Sequence, residues 1–142
     1  MSGSLAILSI CLVLHAVLVQ WTGPWWLPNL TLIGMLLSIA RTPRWWLPLS
    51  LVAALFTLSG SVRFPRIILL AYVALGWLLQ WLAERWDVSD ARVQELVAVL
   101  ACAVLTGSAL WLDGLWSWSL AAAAAGHVAL TGLALHVLRR VA

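Results

Sequence analysis

Six long apolar stretches separated by short turns dominate this sequence. They cover approximately residues 5–20, 27–40, 45–60, 67–83, 93–112 and 120–138. Charged residues make up only 9% of the 142-residue chain, whereas soluble domains contain about 25%. So few charges cannot cover a water-exposed surface, and a helix of about 20 apolar residues crosses a bilayer. The sequence therefore predicts one all-α domain, residues 1–142, with six transmembrane helices in a single bundle.

The charged residues and the cysteines exclude several classes of protein. The eight basic residues are all arginine and are scattered, whereas a nucleic-acid surface needs a clustered basic stripe. Cys11 and Cys102 each lie inside an apolar stretch without metal-type spacing, so we interpret both as packing residues. The sequence contains no nucleophile–base pair, phosphate loop or zinc motif. We therefore expect no enzymatic activity, no metal and no cofactor.

The arginines predict the orientation of the chain. Cytoplasmic loops of membrane proteins carry an excess of basic residues. With six spans and a cytoplasmic N-terminus, only Arg63 and Arg66 lie outside, and the cytosol holds Arg41, Arg44, Arg85, Arg92, Arg139 and Arg140. The N-terminus also lacks the basic region of a signal peptide. We therefore expect a retained first span and two cytoplasmic termini.

Two neighbouring groups of residues are candidates for a ligand pocket. Trp77, Gln80, Trp81 and Glu84 share one helix face because they follow at three- and four-residue spacing. The stretch 57–61, at the end of the third span, is polar. Backbone that leaves helical geometry at membrane depth must be buried or line a cavity. A pocket for a small molecule would then be lined by this stretch together with Trp77, Gln80 and Trp81.

Charged residues near the membrane surface are candidate contacts with partners. Arg63 and Arg66 oppose the charge bias, so they either reach the lipid headgroups or bind an acidic partner or anionic substrate. The loop 84–95 contains Glu84, Asp87 and Asp90. It is either a solvated, self-paired turn or a docking surface, and its aspartates suit the N-terminus of the next helix.

Pairs of small residues predict close helix contacts. Ala103 with Gly107, and Ala122 with Gly126, have the small-xxx-small spacing at which two membrane helices approach closely. The approaching helix would belong either to this bundle or to a partner protein. These two pairs are therefore candidate partner contacts.

Histidines within the apolar stretches raise the question of haem. His15 lies in the first span, and His127 and His136 lie in the last. Histidines on facing helices can bind a haem iron from both sides. Haem bound by His15 and His127 is therefore the alternative to our expectation that the protein has no cofactor. The simpler interpretation, which we favour, is that each bonds to a neighbouring helix.

From Pro28 to Trp111 the order of short motifs resembles that of MreD, the rod shape-determining membrane protein. The matching segments are Pro28-Asn29-Leu30, Arg41-Thr42-Pro43-Arg44, Leu58-Ser59-Gly60-Ser61, and Arg66 followed by Ala71-Tyr72. The chain departs from the family where Phe56-Thr57 replace an acidic residue before the Ser-Gly pair. The first and last spans match only as apolar helices.

The resemblance implies a non-enzymatic scaffold of the cell-wall elongation machinery in the bacterial inner membrane. Such a scaffold would bind an MreC-like protein and, through it, the cytoskeletal protein MreB and cell-wall synthases. The resemblance also implies a fold similar to the substrate-binding components of energy-coupling vitamin transporters. Two alternatives remain open: a small-molecule-binding transporter subunit, and an accessory subunit of a larger respiratory or photosynthetic complex.

Overall fold

A computed structural model describes residues 2–22, 27–59, 65–87 and 90–141. This part of the chain is helical and contains no strand, which confirms the all-α prediction for it. The helices are α1 (Ser2–Thr22), α2 (Leu30–Arg41), α3 (Trp46–Ser59), α4 (Pro65–Arg85), α5 (Ala91–Leu112) and α6 (Trp118–Val141), and a short 3-10 helix (Pro43–Trp45) precedes α3.

Four of these helices, α1, α4, α5 and α6, are long and apolar enough to cross a membrane. In contrast, α2 has 12 residues and α3 has 14, so they are about 18 and 21 Å long. The hydrocarbon core of a bilayer is about 30 Å thick. The prediction of six spans is therefore wrong for 27–40 and 45–60, although both stretches are helical.

The position of α2 explains why its apolar sequence is misleading. The helices pair as α1–α2, α3–α4 and α5–α6, and α2 also contacts all the others. Every residue from Leu30 to Ile39 is buried. A short apolar stretch is more typical of a buried core helix than of a span, and α2 is apolar because protein surrounds it.

Three glycines allow the paired helices to approach closely. A Cβ added at Gly34 would lie 2.7 Å from the Cβ of Cys11 in α1. A Cβ at Gly76 would fall on the Ser50 hydroxyl of α3, and one at Gly132 would lie 3.1 Å from the Val99 side chain of α5. Small residues at such crossings are typical of membrane helix packing, so these glycines set the spacing within each pair.

The two ends of the bundle differ in charge. The Ser4 and Thr42 hydroxyls are 3.0 Å apart, and Glu95 lies 2.7 Å from His136, so the paired helices run antiparallel. One end, which we call the arginine-rich end, therefore carries Arg41, Arg44, Arg85, Arg92, Arg139 and Arg140. The other, which we call the far end, carries Arg66, while Arg63 lies outside the described residues.

Large apolar side chains cover the outer surface of the bundle. Val104 in α5, Leu70 in α4 and Leu133 in α6 are 68%, 67% and 61% exposed. Water would oppose the exposure of so much apolar surface, whereas lipid accepts it. Together with the four long apolar helices, this surface defines a membrane protein.

Candidate functional site

A cavity of about 790 Å³ opens at the far end of the bundle. It lies beyond the N-terminal end of α2, which does not reach the far end of the bundle. The backbone N–H of Asn29, which precedes α2, donates to the Thr131 hydroxyl at 3.0 Å, and Thr131 is about half-way along the 24-residue α6. The central helix thus fills only the half of the bundle nearer the arginine-rich end, and the cavity takes up space in the other half.

The walls of the cavity are mainly apolar. They are formed by the last turns of α1, α3 and α5, the first turns of α4 and one residue of α6. Val19, Phe56, Ile68, Leu105 and Leu112 are among the apolar lining residues. Ligand sites are typically apolar pockets of about 300–1,000 Å³ with a few placed polar groups, and this cavity has that size and character.

Polar groups at the start of α2 form the floor of the cavity. The Asn29 side-chain oxygen accepts a hydrogen bond from the Leu32 N–H at 3.0 Å and so caps α2. The Thr131 hydroxyl, which accepts from Asn29, donates to the His127 carbonyl at 2.8 Å. These bonds join α2 to α6 and satisfy a helix end that is far from bulk water.

Tyr72 extends this floor to α3 and α4. Its side chain is 3% exposed, and Thr57 and Asn29 lie beside its hydroxyl. The Thr57 hydroxyl donates to the Ala53 carbonyl at 2.9 Å, so the Thr57 oxygen remains as an acceptor. Tyr72 and Asn29 were prominent in the sequence only through the resemblance. Neither was predicted as a site residue, although their polarity inside apolar stretches is a signal that could have marked them.

Both candidate haem ligands line the cavity. The ring of His15 packs edge-on against Phe56, with ring centres 6.0 Å apart. The Nδ1 atom of His15 is buried and has no hydrogen-bond partner among the described residues. In that part of the chain, no three histidine, cysteine or acidic residues are placed to hold a metal ion. His15 and His127 are both polar wall residues of one cavity.

The predicted pocket wall on α4 does not line this cavity. Tyr72, Gly76 and Leu79 are the buried residues of α4, so the helix turns Trp77, 56% exposed, away from the bundle. Neither Trp77, Gln80 nor Trp81 lines the cavity. Gln80 instead donates to Glu84 at 3.0 Å, and the Arg85 guanidinium stacks 4.3 Å from the centre of the Trp81 ring.

The predicted polar stretch at the end of α3 does contribute to the cavity. Thr57 and Ser59 both line it. Gly60 and Ser61 lie outside the described residues. Polarity at membrane depth thus pointed to residues that line the cavity, whereas a shared helix face pointed to residues that do not, because the sequence leaves the direction of that face open.

Acidic residues before α5 and in its first turns make contacts within the chain. Asp90 caps α5 by accepting from the Arg92 N–H at 2.9 Å, as the sequence predicted for this position. Glu95 bonds to His136 at 2.7 Å and lies 3.8 Å from Arg139. Asp87 is exposed at the arginine-rich end.

The predicted small-residue pairs face outward. A Cβ added at Gly107 or Gly126 would have no heavy atom within 4 Å. Ala103 and Ala122 are exposed as well. These pairs therefore make no close helix contact within the described part of the bundle, where Gly34, Gly76 and Gly132 take that role.

Comparison of the chain with protein-family models, with curated proteins and with solved structures gives no match. The class of protein therefore rests on the bundle itself: a helical membrane protein with an inner cavity at one end.

Proposed function

We propose that this chain is a non-enzymatic membrane subunit that positions partner proteins, of the kind that MreD represents. The observation that carries the proposal is the outward direction of the small-residue faces. On α6, exposed Ala122, Ala125, Gly126 and Ala129 share one face because they follow at three- and four-residue spacing. We call these four residues the α6 strip.

The α6 strip differs from much of the outer surface. Many outward positions of the bundle carry large side chains such as Val104 and Leu70, which fill the space between lipid tails. A strip without side chains beyond Cβ allows a second helix to approach closely, and membrane helices associate through such packing. We therefore assign the α6 strip to contact with a transmembrane helix of a partner.

The proposed partner is an MreC-like protein of the bacterial inner membrane, with cell-wall synthases and the cytoskeletal protein bound through it. The arginine-rich end would face the cytosol, as the positive-inside rule requires. Both chain termini belong to helix ends on that side, so both would be cytoplasmic. The exposed Asp87 would then lie on the cytoplasmic side.

Co-purification from the host in mild detergent tests the proposal. Gly126→Leu and Ala122→Leu fill the α6 strip, and we expect them to reduce the yield of the partner and to disturb cell shape. Ala74→Leu is the matched control, because Ala74 is an exposed alanine on α4 outside the strip. Normal shape and an unchanged yield in both strip variants would contradict the proposal.

A small-molecule-binding subunit of a transporter is the second candidate, and the cavity favours it. The third alternative, an accessory subunit of a respiratory or photosynthetic complex, would be supported by stoichiometric co-purification with pigmented chains. Both can be examined in the same purified samples.

A further inference from the structure

We propose that the cavity above α2 is a binding site for a neutral, largely apolar molecule whose polar end carries a hydrogen-bond acceptor, such as a ketone or quinone carbonyl. This inference is independent of the scaffold role, because the α6 strip and the cavity use different residues. Its argument comes from the shape of the cavity, the charge of its walls and the direction of the α2 dipole.

The shape of the cavity sets the size and the apolar part of the ligand. At about 790 Å³ it would hold a molecule of several rings. Phe56, Ile68 and Leu105 present apolar surface to it from three different helices. A ligand that reaches this depth from lipid must itself be mainly apolar, since each unpaired polar group is costly to remove from water.

The charge of the walls excludes an anion. The described lining contains no lysine or arginine, and Asp113 brings a carboxylate to the end of α5. The N-terminus of a helix can bind anions through open N–H groups. Here the N–H groups of Asn29, Leu30 and Leu32 are already bonded inside the protein, so α2 offers no such nest.

The floor nevertheless favours a partial negative charge. The positive end of the α2 dipole points into the cavity, because α2 begins at its floor. The side-chain amide of Asn29 carries two N–H groups that can donate hydrogen bonds there, and the Tyr72 hydroxyl lies beside it. The half-buried ring of His15 lies in the wall, with its Nδ1 atom unpartnered among the described residues. A carbonyl oxygen matches these donors without the desolvation cost of a full charge.

Equilibrium dialysis of the full chain in nanodiscs, with empty nanodiscs subtracted, tests the proposal with three probes. Duroquinone carries two carbonyls on a methylated ring, and its fully substituted ring cannot add to cysteine. Durene has the same ring and methyl groups without carbonyls, and tetramethylbenzoate adds a carboxylate. We expect saturable duroquinone binding at least about tenfold tighter than durene, the change that about 1.4 kcal/mol produces, and no saturable binding of tetramethylbenzoate.

Two pairs of variants locate the binding site. Tyr72→Phe removes the hydroxyl that lies beside the Asn29 amide. The amide is then no longer held toward the cavity, so duroquinone binding should weaken several-fold while durene binding stays unchanged. Trp77→Phe, outside the cavity, should change neither. Ala71→Trp fills the cavity from α4 and should abolish binding of both probes, whereas Ala74→Trp, one turn away on the exposed side of the same helix, should not.

Three other outcomes would overturn the inference. Equal binding of duroquinone and durene would show that the cavity takes apolar matter alone, such as a lipid tail. Tighter binding of tetramethylbenzoate would show an anion site. A haem absorption band in the purified protein that disappears in His15→Leu and His127→Leu would assign the cavity to haem. Loss of partner co-purification without loss of duroquinone binding would affect only the scaffold proposal.

Discussion

Gly34 of α2 lies directly against Cys11 of α1, so that a side chain at position 34 would not fit between the two helices. A Cβ at Gly34 would be 2.7 Å from the Cys11 Cβ and 3.3 Å from its sulfur, and both residues are buried. This contact fixes the distance between the central helix and its first neighbour.

We therefore predict that Gly34→Ala destabilises the protein. Overpacking of a well-packed site costs about 1–3 kcal/mol, which exceeds the gain of about 1 kcal/mol that alanine brings to a helix interior. Thermal unfolding in detergent measures the difference. Gly107→Ala is the control, since nothing lies within 4 Å of its Cβ position, and it should be neutral or stabilising. Equal effects of the two variants would refute the close contact.

A buried hydrogen bond between α1 and α2 gives a second prediction. The Ser38 hydroxyl donates to the Ser4 backbone carbonyl at 2.8 Å, and both residues are buried. Ser38→Ala should lower the free energy of unfolding by about 1 kcal/mol. Ser59→Ala removes an exposed hydroxyl that bonds within its own helix and should have little effect. An unchanged stability in Ser38→Ala would mean that the bond contributes nothing.

The pair of Glu95 and His136 gives a third prediction, at the arginine-rich end. Their side chains are 2.7 Å apart and join α5 to α6. Glu95→Gln and His136→Gln should each lower the unfolding temperature modestly, because the pair is partly exposed and screened. The double variant should lose less than the sum of the single losses, as coupled residues do. Additive losses would show that the two side chains act separately.

The direction of α5 gives a fourth prediction. Asp87→Cys precedes this helix and Leu115→Cys follows it, and both positions are exposed. A membrane-impermeant maleimide should label position 115 in intact cells and position 87 only after permeabilisation. The native cysteines Cys11 and Cys102 are buried and should give little background. Labelling of position 87 in intact cells would reverse the proposed orientation.

Much of the fold could be predicted from the sequence because hydropathy is a local property. The apolar stretches gave all six helices, and Asp90 gave the start of α5. The buried position of α2 could not be predicted in the same way. Its apolar residues are equally compatible with a lipid and with a protein environment, and only the three-dimensional arrangement shows that protein surrounds it.

The candidate site was predictable only in part, for a related reason. A spacing pattern shows which residues share a helix face, but the rotation of that helix in the bundle decides where the face points. Trp77 and Trp81 share a face that turns outward, and the polar groups of the cavity floor come from the residue before α2 and from α3, α4 and α6. Asn29 and Thr131, 102 positions apart in the chain, meet only through tertiary packing.

The burial of α2 has a consequence for biogenesis. Ribosomes deliver this segment to the insertion machinery before α4, α5 and α6 have been synthesised, yet α2 is too short to be anchored in the bilayer by itself. Until those later helices arrive, α1 and α3 are its only neighbours, α1 through the contact at Gly34. Chains stalled before α4 would thus hold α2 by two of the five helices that contact it in the folded bundle, which makes this stage the one most exposed to membrane quality-control proteases.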